Sequence, residues 1–173
     1  MILDEVLGQT LINGGALRSS PATASYAEMS ALVQANLAVV IDTNIVLDMF
    51  IFSDPRCAAL RAALDAERLQ WIATQVMRDE LERVLDYSHL QRRIDFHKTS
   101  KLQVLAAFDA RAKLQGIAPR CVYICKDEDD QKFIDFSAAH GALLLSKDKA
   151  VLCMRKRMAL LGVTIAQTLP TAT

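Results

Sequence analysis

The 173-residue chain has no long apolar run, no excess of either charge and no closely paired cysteines. Each absence excludes something. The longest strictly apolar stretches are about the length of residues 37–41, LAVVI. A bilayer-spanning helix needs about 18 or more such residues, so no membrane span is expected. Lys plus Arg and Asp plus Glu both number 20. A dedicated nucleic-acid binder usually carries a basic excess, so any polyanion here would have to be met by a local patch. The four cysteines, Cys57, Cys121, Cys125 and Cys153, form no CxxC pair. Asp4 and Glu5 stand where a secretory signal carries positive charge. The expectation is a cytoplasmic chain whose reduced thiols act as small buried hydrophobes. No G-x-S-x-G, P-loop or G-x-G-x-x-G is present, and His89, His97 and His140 suggest no nucleophile–base arrangement.

Two parts are expected. Residues 1–36, broken by Gly14-Gly15 and by SSPATAS at 19–25, read as a helical N-terminal extension without evident chemistry. From residue 37 to 173 strand-like and helix-like stretches alternate. Strands are expected at 37–41, 69–74, 121–125 (CVYIC), 142–146 and 163–169, with helices over 54–69, 75–87, 88–98, 101–114, 127–140 and 148–161. Asp54 and Pro55 suit a helix start, and Gly141 suits a helix end. The alternation predicts a three-layer α/β/α sandwich around a mainly parallel five-stranded sheet.

Ligands of such sheets bind beyond the carboxyl ends of the strands. Asp42 directly follows the first strand, Asp148 nearly abuts the fourth, and Asp127, Glu128, Asp129 and Asp130 follow the third. Glu80 lies at the edge of the apolar face of helix 75–87, and Asp130 at the inward side of its own. Each acid has a local alternative. Asp42 could make a turn, Asp148 and Asp127 could cap helices, Glu128 could meet a helix dipole, and Glu80 could pair with Arg78 or Arg83. Together, carboxylates without matched cations would repel one another. An oxygen-only set of this kind suits one or two Mg²⁺ or Mn²⁺ ions, which would make Asp42 a metal ligand.

VVIDTNIVLDMF, DELERVL and DEDDQKFIDFSAAHGALLLSKDK, in that order, resemble the PIN-domain ribonucleases, and most closely the bacterial branch that supplies toxins of toxin–antitoxin pairs. The resemblance covers roughly residues 37–169. It implies a parallel sheet flanked by helices and a Mg²⁺- or Mn²⁺-binding acid cluster that cleaves RNA. By position it carries the four family acids onto Asp42, Glu80, Asp130 and Asp148. Asn44 falls where a companion of the first acid stands, Ser146 where a small hydroxyl precedes the last, and Asp129 is the competitor of Asp130.

The implied partners are an RNA substrate and an antitoxin protein, and the apolar composition is compatible with a homodimer. Cations for the phosphates are available at Arg92, Arg93, Lys98 and Lys101, and at Arg155, Lys156 and Arg157, although charge runs on helices are commonly solvated faces. Trp71 reads as core. Three rivals stand beside this reading. One is an aspartyl-phosphate phosphotransferase, which usually wants an acid where Asn44 stands. The others are a silent RNA- or protein-binding module and a flap-type DNA nuclease.

Overall fold

The computed structural model describes residues 37–170; the expected extension over 1–36 lies outside the described residues. β1 (Leu37–Ile41), β2 (Leu69–Thr74), β3 (Lys113–Gln115), β4 (Leu143–Leu145) and β5 (Ile165–Ala166) form one sheet in the order β3-β2-β1-β4-β5. Every neighbouring pair is parallel. Val39 lies opposite Trp71 of β2 and Leu143 of β4, so β1 is central.

Successive strand residues face opposite sides. Val39, Val40 and Ile41 are all buried, as are Leu143, Leu144 and Leu145. Both faces of the sheet are therefore covered, as continuous apolar runs in a parallel sheet require. The cover comes from α1 (Thr43–Phe50), α2 (Ala58–Asp65), α3 (Gln75–Leu85), α4 (Ser88–Phe96), α5 (Lys101–Arg111), α6 (Gln131–His140), α7 (Lys149–Leu152) and α8 (Arg155–Ala159). No helix among the described residues is long and apolar enough to cross a membrane.

The third strand is not where the pattern put it. CVYIC at 121–125 is irregular, and the edge strand is the polar Lys113–Gln115, which extends from Ile72–Thr74 of β2. Val122 and Ile124, two residues apart and so on one side, both face solvent, and only Cys125 of the five is buried. The backbone of this segment is satisfied by side chains of α6 instead of a strand. Asp135 Oδ1 accepts from Cys121 N at 2.8 Å, Gln131 Oε1 accepts from Cys125 N at 2.5 Å, and Gln131 Nε2 donates to the Tyr123 carbonyl at 3.1 Å.

Other boundaries also move. The 101–114 helix ends at Arg111 because Ala112 turns extended to enter β3. Its buried stripe is Val104, Leu105 and Phe108, while Leu102 is exposed. The 148–161 helix divides into α7 and α8, and the fifth strand shortens to two residues. Asp54 and Pro55 open a 3-10 turn, Pro55–Cys57, that leads into α2. Gly141 closes α6 as expected, in the left-handed conformation (φ 57°) that glycine tolerates best.

Trp71 is indeed core. Its ring meets Phe108 edge-on at 4.8 Å and stacks on Phe50 at 6.3 Å, and its buried Nε1 has no hydrogen-bond partner among the described residues. Trp71→Ala is expected to cost about 3–5 kcal/mol in urea unfolding. Trp71→Phe should cost well under that, since it also removes an unsatisfied donor; equal costs for the two variants would contradict this account of the packing.

Candidate metal centre at the carboxyl end of the sheet

Pairing of β1 with β4 brings the loops after these two strands together. The Asp42 N–H continues the ladder, donating to the Leu145 carbonyl at 2.9 Å. Asp42 is 4% exposed and caps α1, with Oδ1 accepting from Asn44 N at 3.4 Å. Its Oδ2 accepts from Asn44 Nδ2 at 2.6 Å and from the Ser146 hydroxyl. Ser146, fully buried, in turn accepts from Asp148 N at 3.0 Å, and Asn44 Oδ1 accepts from Lys147 N at 3.2 Å. Asn44 and Ser146 thus bind the two loops together through one carboxylate. The Lys147 ammonium pairs with the buried Asp48, which holds the second loop against α1.

The turn and cap alternatives are true locally and exclude nothing. Asp148 caps α7, its Oδ1 accepting from Ala150 N at 2.6 Å, which leaves Oδ2 outside the cap bond. Glu80 pairs with neither Arg78 nor Arg83. Arg78 is held by Asp109 and Glu82. Thr74, at the end of β2, caps α3 through a 3.3 Å bond from Met77 N. That helix carries Glu80 back to α1, where Thr43 Oγ1 donates to its Oε1 at 2.9 Å. Its Oε2 pairs with the Lys132 ammonium.

Asp130 immediately precedes α6 and is half-buried, whereas Asp127, Glu128 and Asp129 are exposed. Asp127 caps only the local turn, accepting from Asp129 N at 3.0 Å. The geometry favours Asp130 over its competitor Asp129. Asp130 Oδ2 is buried and has no hydrogen-bond partner among the described residues, a costly condition for a carboxylate.

The electrostatics join these positions. Burial raises the Asp42 carboxyl above its ordinary value against the hydrogen bonds from Ser146 and Asn44, and the charge of Glu80 raises it further. Asp130 is pushed up to about 7 by burial, then by the charges of Asp42, Asp148 and Asp127, while Lys132 opposes. Asp42 thus feels the charge of Glu80, and Asp130 feels those of Asp42 and Asp148.

Among the described residues no three His, Cys, Asp or Glu side chains are drawn together as a ready-made metal cage. A hard divalent ion does not require one, since Mg²⁺ keeps several waters and binds through one or two carboxylates. An orphaned buried oxygen, repelling carboxylates and an oxygen-only donor set fit such an ion.

A family model described as the PIN domain matches residues 38–150, well over half of the chain. The chain belongs to the PIN domain family. No curated protein and no solved structure matches it. PIN domains are nuclease-type hydrolases that generally use divalent metal ions. The family match spans Asp42, Asn44, Glu80, Asp130, Ser146 and Asp148.

Some residues that shape the PIN domain's site escaped the sequence pattern. Thr43 and Lys132 hold Glu80 from two other elements. Gln131, 3% exposed, and Asp135 fix the loop that delivers Asp130, with Gln131 Nε2 donating to Asp135 Oδ1 at 2.6 Å. A polar pair four apart in an otherwise apolar helix is a signal that could have found them. Each of the two basic patches is divided between engaged and exposed cations. Lys101 Nζ lies 2.7 Å from Asp86 and 3.5 Å from Glu82, so its charge is already compensated. Arg93 lies over the Phe52 ring, and Arg155 donates to the Ile165 carbonyl at 3.0 Å. Arg92, Lys98, Lys156 and Arg157 are exposed and form no ion pair among the described residues.

A pH signature follows from Asp130. Its folded value of about 7 exceeds the unfolded 3.8. The stability contributed by the protonated group is complete below pH 3.8 and is lost as pH rises to about 7. Asn at this position cannot ionise. With chelator present, the Tm of Asp130→Asn minus that of wild type should therefore grow from about pH 4 to about pH 7 and then level. A difference constant across that range would refute the buried, repelled carboxylate.

Proposed function

We propose that this PIN domain is a divalent-metal-dependent endoribonuclease. The observation that carries the proposal is the buried Asp130 Oδ2, without a hydrogen-bond partner among the described residues and lying in the field of Asp42 and Asp148. Asp42, Glu80, Asp130 and Asp148 would hold Mg²⁺ or Mn²⁺, as one ion or two. When bound, such an ion lowers the pKa of water and offsets charge on phosphoryl oxygens.

The chain's own residues do the remaining work. Ser146 and Asn44 fix the rotamer of Asp42, so that its carboxylate meets a cation without reorganising. Thr43 does the same for Glu80. Gln131 and Asp135 tie the 121–125 segment to the helix that Asp130 precedes. Exposed cations on α4 and α8 would meet the phosphates of the RNA strand. The burial and the hydrogen bonds of Asp42 disfavour the rival in which it attacks phosphorus itself, since an aspartyl nucleophile needs an accessible oxygen. The silent binding module predicts no metal uptake, and the flap-type nuclease predicts a preference for branched DNA.

Digestion of RNA and of branched DNA in Mn²⁺ decides among these. RNA cleavage by wild type is expected, abolished by EDTA, with Asp42→Asn and Asp130→Asn slower by at least about 100-fold. Ser146→Ala should lose about 10- to 100-fold in metal affinity, as removal of a ligand-orienting group does elsewhere. Equal rates in wild type and both Asp variants would retire the mechanism.

We further propose a finer assignment, resting on the resemblance of the sequence motifs alone: a cytoplasmic toxin neutralised by an antitoxin protein, with a homodimer as its working form. Induced expression in bacteria should then arrest growth, and Asp42→Asn should abolish the arrest. Arrest by both forms alike would contradict toxicity through this site.

A further inference from the structure

We propose that Lys132 is the resident counter-cation of the acid cluster, occupying Glu80 until a divalent ion displaces it and then turning to the substrate phosphate. The inference rests on the metal-centre reading above. Lys132 lies in the first turn of α6, two residues after Asp130. Its ammonium pairs with Glu80 Oε2, meets the Asp129 carbonyl and lies 4.8 Å from the centre of the Phe133 ring. Among the described residues no other Lys or Arg forms an ion pair with Asp42, Glu80, Asp130 or Asp148. Arg83 stands one turn from Glu80 on α3 yet leaves it to Lys132, although its position i+3 would allow the contact.

Two cations cannot share Glu80 cheaply, because an ammonium beside a divalent ion repels it strongly at contact distance. Metal binding at Glu80 is therefore an exchange in which the ion enters and the ammonium leaves. The geometry gives the ammonium somewhere to go. A cleft of about 390 Å³ is lined by Val76, Asp79, Glu80 and Arg83 from α3 and, across from them, by Glu128, Asp129 and Lys132. The lysine side chain is 22% exposed. Released there beside Arg83, it supplies a mobile point charge suited to a phosphate oxygen. Loading of the ion and presentation of a phosphate-binding cation thus become one event.

Replacing Lys132 should then move two quantities in opposite directions, which a merely structural role would not do. Mn²⁺ binding to the full chain is followed by the EPR signal of free Mn²⁺, and RNA cleavage is measured at saturating Mn²⁺. Lys132→Met is expected to bind Mn²⁺ about tenfold tighter while cleaving RNA about tenfold slower, and Lys132→Arg should stay near wild type in both. Lys132→Gln replaces the Met variant if that one does not fold. Mn²⁺ binding that is unchanged or weaker in the neutral variant, with wild type binding normally, overturns this role for Lys132 and leaves the metal centre standing. No Mn²⁺ binding by wild type overturns the metal-centre reading and this inference together.

Discussion

The burial of Asp42 and Asp130 at one end of a parallel sheet, with repulsion from neighbouring carboxylates added to it, is the constraint on which the site depends. A domain of this size is only marginally stable, and a buried carboxylate without a partner is expensive. The fold does not remove the cost. It contains it, giving Asp42 three hydrogen bonds, Glu80 a hydroxyl and an ammonium, and Asp148 a helix cap, and concentrating the residue of strain on Asp130. An arrangement that tolerates one unsatisfied anion is poised for a cation.

The scaffold explains why this is tolerated. β1 and β4 are apolar on both faces and wholly covered, so the strands that carry Asp42 and Ser146 cannot slide without exposing core. Their register aligns Ile41 with Leu145, and the residues that follow each strand meet across the gap. The same alignment lets Ser146 serve both acids, donating to Asp42 and accepting from the Asp148 backbone. The precision of the site therefore derives from the packing of the central strands, while its loops are tied by polar bonds that bridge from one strand end to the next.

Much of this was legible in residue order. LAVVI followed by Asp-Thr-Asn announces a buried strand that ends in a polar turn, and the periods of 75–87 and 127–140 put Glu80 and Asp130 at the borders of apolar faces. The third strand was not legible. Val122 and Ile124 carry strand-like chemistry, but α6 captures the local backbone through Gln131 and Asp135, and the edge position goes to the polar Lys-Leu-Gln at 113–115. An edge strand needs fewer apolar residues than a central one, so apolar content misleads there. Thr43 and Lys132 were silent for a different reason. Each acts on Glu80 across a contact that no helical or strand period encodes.

By itself, then, the amino-acid order determined the alternating elements, the central strands and the addresses of the acids, because hydrophobic period and capping act over a few residues. Only the tertiary structure decided which strand forms the edge, how deeply Asp130 Oδ2 is buried, and which cation faces Glu80. Those outcomes depend on burial and on Coulomb interactions between segments distant in sequence, and such energies exist only once the chain has closed around its core.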